Sequence, residues 1–301
     1  MNQKTYGVVL GLAAFGAWGL LPAYWKQLQT VNPFEILCHR IIWSCVFLFY
    51  IIAFKRRAAE VTAIAKSPST MKGLILSGLI IGLNWFIYIW AVNSGRVVET
   101  SLGYYMNPMF NVALGFILLG ERFSRLQWVA VMFAAAGVAY SLVAYGTLPL
   151  FAIALAISFG LYGFSRKKIN AAPIPGLFIE TLVLFLPAFG YVLYQYLEAG
   201  SPFLRDPAIT LWCIGSGVVT SLPLLWFAAA AKRLNLSTIG ILQYLAPSIA
   251  FILGVFVYKE PFTRHSLITF SFIWVGVLLY IRESLMGSRR NGKTRPTRKM
   301  S

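Results

Sequence analysis

Apolar residues in this chain come in long blocks rather than in alternation. No charged residue appears between Leu126 and Ser165. Apolar runs of roughly 20 residues, the length that crosses a hydrocarbon core, recur from one end of the chain to the other. They lie near Tyr6–Trp25, Pro33–Phe54, Gly73–Val92, Leu102–Leu119 and Leu126–Tyr145. Five more lie near Leu148–Phe164, Gly176–Tyr196, Ile209–Ala230, Thr238–Tyr258 and Ser266–Ser284. Each predicts a transmembrane helix, which satisfies its own backbone hydrogen bonds in lipid. The uncharged stretch holds two of them, folded at Tyr145-Gly146-Thr147-Leu148-Pro149, where Gly and Pro supply the break. The first run is longer than a signal peptide's core and continues into bulky Pro22-Ala23-Tyr24-Trp25, so it reads as a retained span. Ten helices with short connections leave no length for a soluble domain.

Composition agrees. Apolar residues make up 58% of the 301, charged residues 12%, and mean hydropathy is +0.72. The net charge of +17 would point to nucleic acid in a soluble protein. Here the cations lie in short loops and a tail, where the positive-inside rule accounts for them, and nucleic-acid binding is not expected. With the N-terminus in the cytoplasm, twenty Lys and Arg fall inside. Only Lys26, Arg96, Arg205, Lys259 and Arg264 fall outside, and Arg40 lies within a span. Both termini are therefore expected in the cytoplasm. Cys38 and Cys45 are two turns apart on one helix, too far for a bridge. With His39 and His265 as the two histidines, no metal-ligand spacing is present and no cofactor is expected.

The chain repeats itself. At an offset of 139, Tyr105-Met106-Asn107-Pro108 falls on Tyr244-Leu245-Ala246-Pro247, and Glu121-Arg122-Phe123-Ser124-Arg125 on Glu260-Pro261-Phe262-Thr263-Arg264. At 144, Phe15-Gly16-Ala17-Trp18-Gly19 falls on Phe159-Gly160-Leu161-Tyr162-Gly163. The expected fold is all-α, ten transmembrane helices as two five-helix repeats, residues 1–145 and 146–285, followed by a basic disordered cytoplasmic tail, 286–301. Five is odd, so the repeats lie inverted, a ground plan of secondary transporters that bind substrate near the midplane.

The ends Gly120-Glu121-Arg122-Phe123 and Lys259-Glu260-Pro261-Phe262, within a 5+5 plan, resemble EamA domains of the drug/metabolite transporter superfamily. Further motifs narrow the likeness: Pro22-Ala23-Tyr24-Trp25-Lys26, Glu35-Ile36-Leu37-Cys38-His39-Arg40 and Gly163-Phe164-Ser165-Arg166-Lys167-Lys168. With Leu222-Pro223-Leu224-Leu225-Trp226-Phe227 and Gln243-Tyr244-Leu245-Ala246-Pro247, the chain resembles the RarD branch over nearly its whole length. The resemblance implies a bacterial inner-membrane permease, with export of chloramphenicol-type compounds the activity attached to that branch.

Span two is the least apolar. Asn32-Pro33-Phe34-Glu35 reads as a helix start, with Asn as N-cap, Pro at N1 and Glu at N3; Glu35 is expected to act there as a cap. Arg40 lies about 10 Å below that start. An intramembrane Arg must face the protein interior and find a partner, which makes it a candidate anion clamp, or else it pairs with Glu35 or snorkels outward. His39 and Glu180 are the proton-coupling candidates: His changes charge near neutral pH, and Glu180 lies about one and a half turns into span seven.

Aromatic residues total 16%. Trp25, Trp128, Tyr145 and Tyr196 read as interfacial belts. Trp18, Asn84, Trp85, Tyr88, Tyr104, Tyr105, Asn107, Tyr162, Gln243 and Tyr244 lie mid-span, where amides cannot face lipid. All but Tyr104 join Arg40 as candidates to line a substrate cavity for a small amphipathic solute. Ordinary interhelical packing is the alternative for any one of them. Pro108 and Pro247 are repeat-related hinge candidates, while Glu121 and Glu260 read as loop anchors.

No phosphate-binding Gly-rich loop is present, so ATP is not the expected energy source. The pattern excludes paired intramembrane carboxylates and a Ser with a nearby His, so an enzyme is not expected. A secondary transporter is the leading reading, and a passive channel or facilitator the alternative. Reporter fusions after Lys66, Lys168 and Lys299 are expected to report cytoplasm, and one after Asp206 periplasm. Finding the Glu121 and Glu260 loops on the same side would refute the inversion.

Overall fold

A computed structural model describes residues 3–119, 124–145, 148–198, 200–231, 233–234 and 242–293. These residues are helical, with no strand among them. In chain order the helices are α1 (Gln3–Trp25), α2 (Pro33–Phe54), α3 (Ala58–Ala65), α4 (Pro68–Asn93), α5 (Val97–Leu119) and α6 (Arg125–Tyr145). Then come α7 (Leu150–Lys168), α8 (Pro173–Leu197), α9 (Pro207–Ala231), α10 (Leu245–Ile252) and α11 (Arg264–Lys293). Six helical segments among them are long and apolar enough to cross a membrane: Thr5–Leu28, Pro33–Phe54, Pro68–Asn93, Arg125–Ala144, Pro173–Leu197 and Pro207–Phe227.

Local chemistry sets the helix ends. Asn32 caps α2, its side-chain oxygen accepting from the Phe34 N–H at 2.8 Å, with Pro33 at the first helical position. Pro68, Pro173 and Pro207 open α4, α8 and α9 in the same way, where a missing N–H costs nothing. Helix α4 therefore starts well before the apolar run at Gly73. Helix α3 was not anticipated: its Ala-rich turns favour helix, and Glu60 accepts from Arg57 at 2.6 and 2.7 Å. Helix α11 continues through Lys293, so residues 286–293 of the expected disordered tail extend it instead; 294–301 lie outside the described residues.

Large apolar side chains lie on the outside of the bundle as well as in its core. Phe54 is 89% exposed, Leu186 76% and Leu211 70%, while Ser44, Ser77, Ser216 and Ser221 are fully buried. Large side chains pointing outward and hydroxyls pointing inward are what a lipid solvent selects.

Leaving out α3, the halves are α1, α2, α4, α5, α6 and α7 to α11. Helix α2 packs on its counterpart α8, and α6 on α11. The other main contacts come in matched pairs: α1 on α9 as α7 on α4, α1 on α10 as α7 on α5, and α2 on α9 as α8 on α4. Small residues let these helices approach. A methyl group on Gly103 would stand 2.7 Å from the carbonyl oxygen of Ala152, and one on Gly217 would run into the backbone of Trp43 and Ser44.

Helix α10 is short. It follows a turn at Gln243–Tyr244 and passes into a π-helical turn, Leu253–Val257. Past it, Glu260 reaches across to the first half. Its carboxylate accepts from the N–H groups of Val97 and Val98, at 3.0 and 2.9 Å, which places an anion on the positive end of α5. Glu99 does the same one helix further on, accepting from the Phe151 N–H of α7 at 3.0 Å. A cavity of about 320 Å³ lies beside both carboxylates, lined also by Arg96, Ser141 and Thr269.

Gly217→Ala should lower the thermal stability of the purified protein by an overpacking cost of about 1–3 kcal/mol. Gly163→Ala, where an added methyl meets nothing within 4 Å, should leave it unchanged. Equal melting temperatures for the two variants would show that the α2–α9 contact is looser than described.

Candidate functional site

Three polar clusters lie buried among the helices, and the first is built on Arg40. This residue stands on α2 at 5% exposure. Its guanidinium carbon lies 4.2 Å from the ring centroid of Trp85 on α4 and 5.2 Å from that of Trp25 at the end of α1. Such cation–ring contact is favourable for a desolvated guanidinium. Arg40 Nε and Nη1 have no hydrogen-bond partner, and among the described residues no carboxylate forms an ion pair with it. It is not paired with Glu35. Tyr88 and Tyr104, whose rings meet at 5.7 Å, also stand close enough to act electrostatically on the guanidinium. One turn along α2, the hydroxyl of Ser44 is also buried without a partner, as are those of Thr220 and Ser221 on α9.

The second cluster lies at the start of α2. Glu35 is 2% exposed, and its carboxylate accepts from the hydroxyl of Ser201 in the loop between α8 and α9. The cap of α2 is Asn32, so Glu35 serves instead to tie the two halves. His39 Nε2 stands 3.8 Å from Glu35 Oε1, and the His39 ring lies 4.2 Å from Phe203. Neither ring nitrogen has a hydrogen-bond partner. Cys38, Cys45 and Cys213 are free and buried. Among the described residues no group of three or more His, Cys, Asp or Glu could hold a metal ion.

The third centres on Glu180, in α8 and 1% exposed. It accepts from Ser77 of α4, from the Tyr162 hydroxyl of α7 at 3.2 Å and from Arg166 Nη1 of α7 at 3.4 Å. Gly78 makes room for this meeting, a methyl there falling 3.1 Å from the Glu180 carbonyl oxygen. Three helices thus converge on one carboxylate.

The remaining candidates are distributed between packing and cavity positions. Asn84 is fully engaged as a donor, to the Leu155 carbonyl at 3.2 Å and Ser158 Oγ at 2.9 Å, and so braces α4 against α7. Tyr105 shares a hydrogen bond with Ser248 at 2.7 Å and stacks on Tyr244 at 6.2 Å. The Tyr244 hydroxyl and the Asn107 carbonyl oxygen are buried without partners. Gln243, half-buried, stands on the turn before α10. Trp18 packs against Phe15 and Phe227 at 5.3 and 5.7 Å. Pro247 lies in the first turn of α10, where proline does not bend a helix, and its carbonyl accepts from Ser101 at 2.6 Å. Pro108 falls within α5, its side chain outside the described residues, as do Glu121 and the side chain of Tyr145.

The sequence pattern placed Trp25 in the interfacial belt; it is fully buried against Arg40. No sequence signal marks Ser77, Arg166 or Ser201 as a residue of a buried polar site. Small hydroxyls give no periodic signal, and Arg166 reads as one more inside cation until the fold brings Glu180 to it.

Two copies of the EamA-like transporter family model match residues 5–143 and 147–282. Protein RarD of Escherichia coli K12 is 41% identical over 97% of this chain and 99% of its own length. An uncharacterized transporter of Vibrio cholerae is 44% identical over 93% of each chain. A Pseudomonas aeruginosa protein named chloramphenicol-sensitive protein RarD is 30% identical over 93% of this chain and 94% of its own. A crystal structure 18% identical superposes with a TM-score of 0.59 over 92% of this chain and 97% of the other, a likeness of fold alone. The chain belongs to the EamA-like transporter family and is a membrane transporter of the RarD type.

Proposed function

We propose that the protein is a secondary transporter of the bacterial inner membrane that exports small organic solutes by alternating access. In this reading ten spans form two inverted five-helix repeats, and both termini face the cytoplasm. The observation that carries it is the matching of helix contacts between halves, which an exchange of two equivalent, oppositely oriented units would produce. Two-unit symmetry of that kind supplies two states of similar energy, one open to each side. The buried polar clusters lie on helices that meet helices of the other half, where a solute would pass. The name of the P. aeruginosa relative makes a chloramphenicol-type compound the first substrate to try.

Energy would come from protons. Glu180 is the stronger coupling candidate, since Ser77, Tyr162 and Arg166 reach it from two other helices. Protonation would weaken its hold on Arg166 and loosen α7 from α8. His39, beside Glu35, is the other candidate.

Proteoliposomes loaded with labelled chloramphenicol test the reading. A proton gradient should accelerate release and drive uphill movement, and a protonophore should abolish the difference. Release unaffected by the gradient and never uphill would favour a passive facilitator. Glu180→Gln should keep solute exchange between equal pools yet lose gradient-driven transport. If Glu180 is structural only, the variant will instead lose folded yield with coupling intact in what remains.

A further inference from the structure

We propose that Arg40 receives the anionic head of the transported solute, so that the substrates are organic anions with an apolar, preferably aromatic, body. The inference deepens the transporter reading and rests on it.

A guanidinium in the interior of a membrane protein is expensive, and proteins keep one there when it has a partner or a task. Arg40 is buried and has no carboxylate partner among the described residues. Glu35, one turn and a residue away, is committed to Ser201 and stands beside His39. Glu180 is committed to Ser77, Tyr162 and Arg166. The groups around Arg40 have donors to offer as well: the Trp25 indole N–H is buried without an acceptor, and so is the Ser44 hydroxyl one turn on. A site with a fixed positive charge and unclaimed donors lacks an acceptor that carries negative charge. A neutral carbonyl would take a hydrogen bond and leave the charge unbalanced, and a cation would be repelled.

The rings fix the rest of the specificity. The guanidinium carbon lies 4.2 and 5.2 Å from the ring centroids of Trp85 and Trp25, and Nε and Nη1, which have no hydrogen-bond partner, are left to donate to an incoming oxyanion. A planar carboxylate suits that pair of donors better than a spherical ion does. The body of the solute would then lie among Trp25, Trp85, Tyr88 and Tyr104, which offer flat apolar surfaces for an aromatic group. Chloramphenicol, which has no such charge, would be a secondary ligand.

Tryptophan fluorescence and thermal unfolding of the purified protein test this with probes of one shape and three charges. Benzoate, phenylacetate and phenylphosphonate should quench and stabilise the wild type. Benzamide, chloramphenicol and benzylamine should act at least about tenfold more weakly, as expected for loss of a charge-assisted hydrogen bond. Sodium chloride at equal ionic strength should not reproduce the effect; if it does, the site holds an inorganic anion and the inference falls. Arg40→Gln removes the buried charge and should fold, as circular dichroism and gel filtration will verify, while losing the preference for anions. Arg40→Lys should retain part of it. Equal action of benzamide and benzoate on the wild type, or no action by any of the three anions, overturns the proposal whether or not the variants fold. Chloramphenicol exchange in proteoliposomes reads the transporter separately. Exchange without anion binding leaves a transporter with another substrate class, and anion binding without movement of any solute leaves a site without transport.

Discussion

Hydrocarbon offers no hydrogen bonds, and that one constraint organises the molecule. A polar group inside the membrane must find its partner in the protein or carry an energetic penalty of several kcal/mol. Among the described residues, the buried polar groups that pair across helices join them. Asn84 holds α4 to α7, Ser101 holds α5 to α10, and Glu180 gathers α4, α7 and α8. Without a hydrophobic force between helices in lipid, such bonds and close backbone contacts set their arrangement. Gly103 and Gly217 provide the contacts. Against that background the unpaired groups stand out, and several of them, Arg40, Ser44, Thr220 and Ser221, fall on α2 and α9, helices from different halves that pack together.

The same economy governs the ends of the helices at the membrane surface. Glu260 and Glu99 each place a carboxylate on the free N–H groups of a helix from the other half. These bonds combine charge with backbone geometry, so they hold firmly yet involve few atoms. The cavity beside them is lined by residues of α5, α6 and α11 and of the segments before α7 and after α10.

Much of this was legible in the sequence, because the solvent imposes a crude and strong rule on composition. Blocks of apolar residues announce helices, and a lone intramembrane Arg or Glu announces an interior-facing position. The repeat was legible as well, since Glu260 and Pro247 recur at a fixed offset from Glu121 and Pro108. What the pattern misjudged were residues whose role depends on a distant neighbour. Trp25 looked like a belt residue, because a Trp at the end of an apolar run usually is one. Glu35 looked like a local cap, because its spacing from Asn32 fits one.

Sequence by itself determined the helical class, the membrane solvent, the two-part plan and the short list of charged residues that the interior must accommodate. These follow from one-dimensional rules: length against bilayer thickness, charge against depth, offset against repeat. Tertiary structure alone decided which charges meet. Glu180 and Arg166 lie on different helices, Glu35 meets Ser201 in the loop between α8 and α9, and nothing in their spacing predicts either contact. The same holds for Arg40, which has no carboxylate partner among the described residues. Pairing in lipid is a choice among partners brought together by packing, and packing depends on the shapes of whole helices rather than on any local run of residues.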